Sequence, residues 1–309
     1  MKKIIKKPTI TVVIPAYNEQ ENIGNVLDSL LLQKLKRFRM EKIVVYTDGS
    51  TDNTLDIVRK KIIKPSLIDL RIGTHQKGKF YRLNKIYKQN KSDVLIVLDA
   101  DIALVGNSFV ENFAASIIDD EGAMLVSAWE LPLIPKTFVG RIIASSYLMW
   151  DNVRWSIPNY DHVQNLYARA TAYRGLFAAK LHIPDQATEE RMYLYLMAKK
   201  TNGFRLTQKA CIYYWPVTTL YDYVKLSERA FGRPQPTVNK LFGFDATHLY
   251  AVPKKYKYEG MIKSFIQDPF YMSLGMLLGL ILSKLTLGRK TQDSQIWEIS
   301  LSTKKSITL

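Results

Sequence analysis

The first hundred residues alternate short β-branched runs with segments in which apolar residues recur every three or four positions. The runs predict strands and the three-to-four spacing predicts helices. The predicted strands cover residues 10–14, 42–46, 67–72 and 94–98, and a helix follows each of the first three. Asn18 with Glu21 is expected to cap the first helix, and Asp52 or Ser50 the second. Alternation of this kind is typical of an α/β fold with a parallel sheet and crossover helices.

Beyond residue 104 the order of elements is less regular, and no internal repeat is present. We predict strands at 123–128 and 203–214, an extended segment at 172–179, and helices at 139–155, 188–200 and 220–231. Pro234 and Pro236 end this pattern, so a catalytic region of 1–235, with halves 1–104 and 105–235, is expected before a helical region of 236–309.

The last part of the chain differs in composition. Phe270 to Leu282 carries no charged residue, and lysines and arginines lie on both sides of it. A spanning helix needs about 20 apolar residues, so an interfacial helix is as plausible as a span, and a buried core helix is the alternative. The flanking basic residues favour an anionic membrane surface bound through 264–290. We therefore expect the protein at the cytoplasmic face of the cell membrane, peripheral, monotopic or single-pass.

Composition narrows the class of protein. The chain has 309 residues with 47% hydrophobic and 23% charged residues, which is globular composition. Its single cysteine excludes an intrachain disulfide and a cysteine-rich zinc site, and its four histidines are scattered. The amino terminus lacks the long apolar region of a cleaved signal peptide. The net charge of +16 calls for an anionic partner.

Polar clusters stand at the carboxyl ends of three predicted strands, the edge at which open parallel sheets bind ligands. The clusters are 15–19, 48–52 and the pair Asp99 and Asp101. Side chains two apart in an extended segment project to one side, so the pair suits Mg²⁺ or Mn²⁺, although a solvated strand end is as acceptable. Gly49 permits a tight turn before a helix, and Lys79 opens the third helix where it could meet a phosphate.

Taken in order, these motifs resemble the family 2 glycosyltransferases, which are inverting enzymes of the GT-A fold. The resemblance rests on Val13–Glu19, Asp48–Thr54, Gly78-Lys79 with Leu83-Asn84, and Leu98–Asp101. It implies a Rossmann-like, mainly parallel sheet, a nucleotide-sugar donor and a divalent metal, Mn²⁺ or Mg²⁺. It also implies site residues. Pro15, Tyr17, Glu19 and Asp48 would surround the base and ribose, Lys79 and Asp99 would lie near the nucleotide and donor sugar, and Asp101, with Asp99, would bind the metal.

The resemblance continues more weakly to about residue 233. Arg174–Ala178 looks like the acceptor-side segment, and Glu189-Glu190 stands where the family carries an acidic pair whose second member is the general base. Glu190, or else Glu189, would then be the catalytic base. Arg229 would bind the diphosphate leaving group or an anionic acceptor. The Gln-x-x-Arg-Trp motif of processive synthases is essentially absent around it, which argues against a processive enzyme.

Three alternatives remain open from the sequence. The acceptor is either a hydroxyl of a lipid-linked or cell-surface glycan or a polyprenyl or dolichyl phosphate. A second alternative is a catalytically inactive protein that attaches to a membrane or binds nucleic acid through the basic clusters at 34–42 and 59–64. Lysines and arginines on solvated helix faces explain these clusters equally well. We therefore expect no nucleic-acid partner. A sugar nucleotidyltransferase would need a glycine-rich loop after the first strand, and 15–19 contains no glycine.

Overall fold

The computed structural model describes residues 6–63, 66–184, 190–230, 236–286 and 300–307. The strands are β1 Thr9–Ala16, β2 Arg39–Asp48, β3 Ile68–Gly73, β4 Val94–Leu98, β5 Ile102–Leu104, β6 Leu125–Pro132, β7 Ala170–Arg174 and β8 Phe204–Tyr214. The helices are α1 Ile23–Leu31, α2 Thr54–Lys61, α3 Lys79–Gln89, α4 Phe109–Ile118, α5 Phe138–Ser156, α6 Gly175–Ala178, α7 Arg191–Lys199, α8 Leu220–Ala230, α9 Pro236–Phe242, α10 Lys254–Gln267 and α11 Pro269–Thr286.

The strands form one sheet in the order β3-β2-β1-β4-β7-β6-β8-β5. β1, β2, β3 and β4 are mutually parallel, which confirms the predicted parallel sheet. β7 runs antiparallel to both β4 and β6, β8 is parallel to β6, and β5 is antiparallel to β8. Strand direction reverses at β7, immediately beside β4, so the carboxyl end of β4 lies at the junction of the two halves of the sheet.

Helices cover both faces of the sheet. Along β4, Ile96 packs into the core beneath α1, α2 and α4, whereas Leu95 and Val97 pack into the core beneath α3 and α7. All five residues of β4 are buried. A strand buried on both faces reads as a continuous apolar run, which explains why this strand was predicted correctly.

Two capping predictions had different outcomes. The predicted capping box of Asn18 and Glu21 is wrong, because α1 begins only at Ile23. Asn18 instead has a φ of +52°, and its side-chain oxygen accepts a hydrogen bond from the Thr51 N–H at 2.9 Å. A residue in the left-handed region cannot open a helix, and its amide joins the first two motif loops instead. The cap residue of α2 is Asn53 rather than Asp52 or Ser50, although Asp52, one position earlier, accepts a bond from the Thr54 N–H at 3.0 Å.

The extended segment predicted at 172–179 is only half correct. β7 ends at Arg174 and the chain turns into α6 at Gly175. The turn brings the backbone so close to β4 that a Cβ on Gly175 would lie 2.0 Å from the Ser92 carbonyl oxygen. α4 was not predicted. The first residues of the helix predicted at 188–200 lie outside the described residues, and α7 covers the rest.

α10 and α11 pack against α5 rather than against the sheet. A Cβ on Gly260 of α10 would lie 2.4 Å from the Val153 backbone, and one on Gly275 of α11 would lie 2.1 Å from Ser145 Oγ. Among the helices of the described ranges, none is long and apolar enough to cross a membrane. The division at residue 235 stays a prediction, because 231–235 lie outside the described residues.

Candidate functional site

The carboxyl ends of β1, β2 and β4 meet at one edge of the sheet, as their parallel register requires. Glu19 follows β1, Asp48 ends β2, and Asp99 and Asp101 follow β4. The first two loops are joined by hydrogen bonds from the Asn18 N–H to Ser50 Oγ and from the Glu19 N–H to Thr54 Oγ1 at 2.7 Å. Pro15 lies near the end of β1 and Tyr17 lies in the loop that follows, and both are half-buried. The motifs therefore form one crevice.

Lys79 connects the donor motifs to the predicted base. Its Nζ lies 2.8 Å from Asp99 Oδ1 and 3.1 Å from Glu190 Oε1. Burial alone would lower the pKa of Lys79, but the attraction of Asp99 and then Glu190 outweighs it and raises the pKa. Lys79 is therefore a permanent cation that holds the two carboxylates at its opposite sides.

Glu190 stands immediately before α7, and its side chain is 12% exposed. Glu189, the other candidate, lies outside the described residues. Arg229 belongs to α8, and its contact with a diphosphate stays a prediction. Of the predicted acidic pair, Glu190 is thus the member that the structure brings to Lys79.

Asp99 and Asp101 provide the oxygen ligands that Mn²⁺ and Mg²⁺ prefer. Burial raises the pKa of Asp99, Lys79 opposes that effect, and the neighbouring Asp101 charge adds to it. In the described part of the chain no three histidine, cysteine or acidic side chains form a ready-made metal site. Mg²⁺-type sites commonly use one or two carboxylates and complete the shell with water and substrate phosphate, so Asp101 with Asp99 fits such an ion.

Asp48 makes contacts within the protein that the sequence did not predict. Its carboxylate accepts hydrogen bonds from the Lys77 and Gly78 N–H groups at 3.0 and 2.8 Å and from Arg82 Nε at 2.6 Å. Arg82 also donates to the His75 carbonyl and lies over the Tyr46 ring. Asp48 therefore fixes the start of α3 and so the position of Lys79, while its contact with a nucleotide stays a prediction.

Glu19 is buried, and its Oε2 has no hydrogen-bond partner among the described residues. Burial raises the pKa of Glu19 to about 8, Lys304 opposes the rise, and Asp101 adds to it. Lys304 Nζ binds Glu19 Oε1 and lies 3.8 Å from Asp101 Oδ2. The sequence reasoning missed Lys304 because 285 positions separate it from Glu19.

A second set of buried charges lies across β7, on the predicted acceptor side. Arg169 Nη1 lies 2.8 Å from Glu130 Oε2, and Arg154 Nε lies 2.9 Å from Asp151 Oδ1. Burial opposes the charge of Arg169, but Glu130 outweighs it and raises the arginine pKa, with a further contribution from Asp101. None of these four residues was predicted, because none of them lies in a polar motif of the sequence. Asp99 connects the sets, since its N–H donates to the Arg169 carbonyl at 2.7 Å.

Two atoms of this second set lack hydrogen-bond partners among the described residues, namely Glu130 Oε1 and Asp151 Oδ2. Trp155 Nε1 also lacks a hydrogen-bond partner among the described residues. The Trp155 ring stacks on the Trp129 ring, with ring centroids 4.7 Å apart. Aromatic rings beside unsatisfied polar atoms suit a polyhydroxylated ligand, which presents both apolar faces and hydroxyl groups.

Comparison with known proteins agrees with this geometry. The chain is similar to a Mycoplasma pneumoniae glycosyltransferase, the MG025 homolog, with 35% identity over 133 residues, 42% of this chain and 42% of that protein. Glycosyltransferase AglE of Haloferax volcanii is 32% identical over 94 residues, 30% of this chain and 31% of that protein. The chain thus spans less than half the length of these relatives in the matched regions.

Two solved structures share the fold. Mannosyltransferase PcManGT from Pyrobaculum calidifontis, in complex with GDP-Man and Mn²⁺, superposes with a TM-score of 0.57 at 17% identity, covering 93% of this chain and 77% of that one. Glucosyl-3-phosphoglycerate synthase from Mycobacterium tuberculosis, with Mn²⁺, UDP-Glc and phosphoglyceric acid, gives 0.52 at 18%, covering 78% and 82%. These likenesses show a GT-A-like fold. The family model "Glycosyl transferase family 2" matches residues 11–200, so the chain belongs to the family 2 glycosyltransferases.

Proposed function

We propose that the protein transfers a sugar from a nucleotide-sugar donor, with inversion, to a hydroxyl of a lipid-linked or cell-surface glycan. The observation that carries this proposal is the bridge that Lys79 makes between Asp99 and Glu190, at 2.8 and 3.1 Å. This bridge joins Asp99, in the motif at the end of the predicted donor half, to Glu190, in the predicted acceptor half. Two related folds were solved with nucleotide sugars, GDP-Man in one and UDP-Glc in the other, which supports a UDP- or GDP-sugar donor.

The site supports a single displacement. Glu190 accepts the proton of the acceptor hydroxyl while that oxygen attacks the anomeric carbon, and the bond to the nucleoside diphosphate breaks on the opposite face. Lys79 holds Glu190 and Asp99 in position, and its buried positive charge lies beside the reacting groups. Asp101, with Asp99, would hold Mn²⁺ or Mg²⁺, which when bound supplies positive charge to the departing diphosphate.

The competing acceptor is a polyprenyl or dolichyl phosphate. A phosphate oxygen is already ionised near neutral pH and needs no base, whereas a hydroxyl does. The position of Glu190 beside Lys79 favours the hydroxyl, because a phosphate acceptor would bring a further negative charge against that carboxylate.

Glu190→Gln separates the two acceptors. With an alkyl glycoside as acceptor, we expect Glu190→Gln to lower transfer by at least about a hundredfold, the low end of the contribution of a general base. Transfer is followed by nucleoside diphosphate release, and Glu121→Gln, at an exposed loop position, is the matched control. Full activity of Glu190→Gln on a polyprenyl phosphate, with no transfer to glycosides by either protein, would refute the hydroxyl proposal.

The membrane is the proposed site of the acceptor, and α10 and α11 are its proposed contact. Tyr258, Ile262 and Ile266 form an exposed stripe on α10, and Phe270, Leu277, Leu280 and Ile281 form one on α11. Phe138 extends the α11 stripe, with its ring centroid 6.4 Å from that of Phe270. Exposed lysines lie along α10 at positions 254, 255, 257 and 263. An apolar stripe with lysines beside it fits an anionic bilayer surface, which would place the protein peripherally at the cytoplasmic face.

Vesicle sedimentation tests this contact. Vesicles of phosphatidylglycerol and phosphatidylcholine should sediment the wild-type protein, vesicles of phosphatidylcholine alone should sediment much less, and Ile266→Asp should abolish binding. Leu32→Asp is the matched control, because Leu32 is 71% exposed at the end of α1, away from the stripes. Concentration-dependent dimerisation that is lost in Ile266→Asp, without any vesicle binding, would show that the stripes bind a second copy instead.

A further inference from the structure

The last described segment, residues 300–307, is attached beside the donor crevice. The Thr218 N–H donates to Ser302 Oγ at 3.1 Å, and the Ser302 N–H donates to Asp222 Oδ2 at 3.0 Å. Asn25 of α1 donates to Ser306 Oγ at 3.1 Å, and Ile307 is buried. Contacts on both sides of residue 304 thus hold this segment, which we name the C-terminal strap, against α1 and the start of α8.

The C-terminal strap places the ammonium group of Lys304 in the crevice. Lys304 Nζ binds Glu19 Oε1 and lies 3.8 Å from Asp101 Oδ2, and its side chain is 19% exposed. Lys79 bridges two other carboxylates, Asp99 and Glu190. The crevice therefore has two lysines, one at the predicted base and one at the predicted metal ligand.

The surroundings of Lys304 define the chemistry of what can bind there. A cation bound by Asp101 would stand next to the ammonium of Lys304 and repel it unless an anion arrives as well. The other oxygen of Glu19, Oε2, is buried and lacks a hydrogen-bond partner among the described residues. A ligand that suits both side chains must carry an anionic group for Lys304 and a group that can form a hydrogen bond with Glu19, such as a hydroxyl. A nucleoside diphosphate carries both.

We propose that Lys304 is a donor-binding residue: the C-terminal strap supplies it to the diphosphate of the nucleotide sugar. The inference rests on the proposed function, since it needs a nucleotide donor in this crevice. It goes beyond that function because it assigns the last residues of the chain to the donor site. A lysine between Glu19 and Asp101 also makes metal binding depend on the nucleotide, because the diphosphate relieves the repulsion between the two cations.

Titration calorimetry with UDP and GDP in the presence of Mn²⁺ tests the proposal. We expect Lys304→Ala to weaken binding of the nucleotide that the wild-type protein prefers by about tenfold or more, the range for loss of one charge-assisted hydrogen bond. Lys304→Arg should restore most of the affinity. Lys305→Ala is the matched control on the same strap, because Lys305 donates to Thr218 Oγ1 and not to the crevice carboxylates.

A second readout uses the metal alone. With no nucleotide present, Lys304→Ala should bind Mn²⁺ more tightly than the wild-type protein, as measured by the free Mn²⁺ signal in electron paramagnetic resonance. A strap that merely blocks the site would instead give tighter binding of both Mn²⁺ and nucleotide in Lys304→Ala, and that result would overturn the proposal. Equal nucleotide affinity of wild type and Lys304→Ala would also overturn it. If the wild-type protein binds neither UDP nor GDP, the proposed function fails, and this inference fails with it.

Discussion

The two sides of the site use buried charge differently. On the donor side, Lys79 and Asp99 are 30% and 27% exposed. Lys79 and Lys304 each contact two carboxylates. On the acceptor side, Arg154 and Asp151 are 2% and 3% exposed, Glu130 is 1% and Arg169 27% exposed, and each arginine pairs with one carboxylate. Charges shared among partners at an open crevice can be redistributed when a ligand binds. The buried Arg154–Asp151 pair and the buried Glu130 carboxylate cannot, because losing a partner leaves their charge without solvation.

This difference makes separable predictions. Substitutions on the donor side should lower activity and leave the fold intact, and substitutions of the acceptor-side pairs should first lower stability.

Asp101→Asn should have the largest effect on activity. It removes the carboxylate predicted to hold the metal, and loss of several kcal/mol of charge stabilisation lowers donor turnover by at least about a thousandfold. Nucleoside diphosphate release measures the effect, and the thermal midpoint should stay within a few degrees of wild type. Asp56→Asn on the exposed face of α2 is the control. An active Asp101→Asn protein would place the metal, if one is used, elsewhere.

Arg169→Met should have the largest effect on stability. Removing Arg169 leaves the buried Glu130 without its partner, at a cost of about 3–5 kcal/mol in the free energy of unfolding. Arg71→Met is the control, because Arg71 is 26% exposed, much like Arg169 at 27%, but its partner Asp69 is 39% exposed, and exposed pairs contribute about 0–1 kcal/mol. Urea denaturation measures both. Equal losses in the two variants would show that burial does not distinguish these pairs.

The same variant should change the dependence of stability on pH. Burial raises the pKa of Glu130, and Arg169 opposes the rise. A carboxyl whose folded-state pKa is raised contributes most below its unfolded pKa, and that contribution is lost as pH rises through the folded value. Without Arg169 the folded pKa rises further. The difference in unfolding free energy between wild type and Arg169→Met should therefore be small in acid and widen as the pH rises towards neutral, and a difference independent of pH would contradict it.

The prediction with the smallest expected effect concerns Cys211, on the acceptor side. It lies on β8 opposite Trp129 of β6, and burial, with a smaller contribution from Glu130, raises the pKa of its thiol to about 11. At pH 8 its thiolate fraction is then about two orders of magnitude below that of a free cysteine. Its reaction with a disulfide reagent should be correspondingly slow in the native protein and rapid in urea. A fast native reaction would show that this side of the sheet is open.

The sequence predicted correctly that the donor motifs meet at one edge of the sheet, and the reason is physical. Parallel strands carry their carboxyl ends to one edge, so motifs such as 15–19 and 98–101, which are each local in sequence, meet without further information. Lys79 could be placed because it opens the helix after β3. Its contact with Glu190 could not, since the two residues are 111 positions apart and only tertiary packing joins them.

What the sequence did not predict arises from long-range contacts. Glu130 and Arg169 are 39 positions apart, and neither stands in a motif or at a strand end with other polar residues. Lys304 reads as one lysine in a short polar tail. The wrong capping box at Asn18 has the same origin, because Thr51 of the next loop holds the Asn18 side chain. Local patterns identify elements, and contacts between distant elements decide what the polar residues do.

Donor turnover tests the central claim most directly. The full-length protein is incubated with a panel of UDP- and GDP-sugars with Mn²⁺, with Mg²⁺ and with EDTA, and release of nucleoside diphosphate is measured with and without an alkyl glycoside. We predict release from one donor class that requires the metal, increases with the glycoside and is lost in Asp101→Asn. Absence of release from every donor, together with absence of UDP and GDP binding in Mn²⁺, would contradict the assignment of this crevice to a nucleotide sugar.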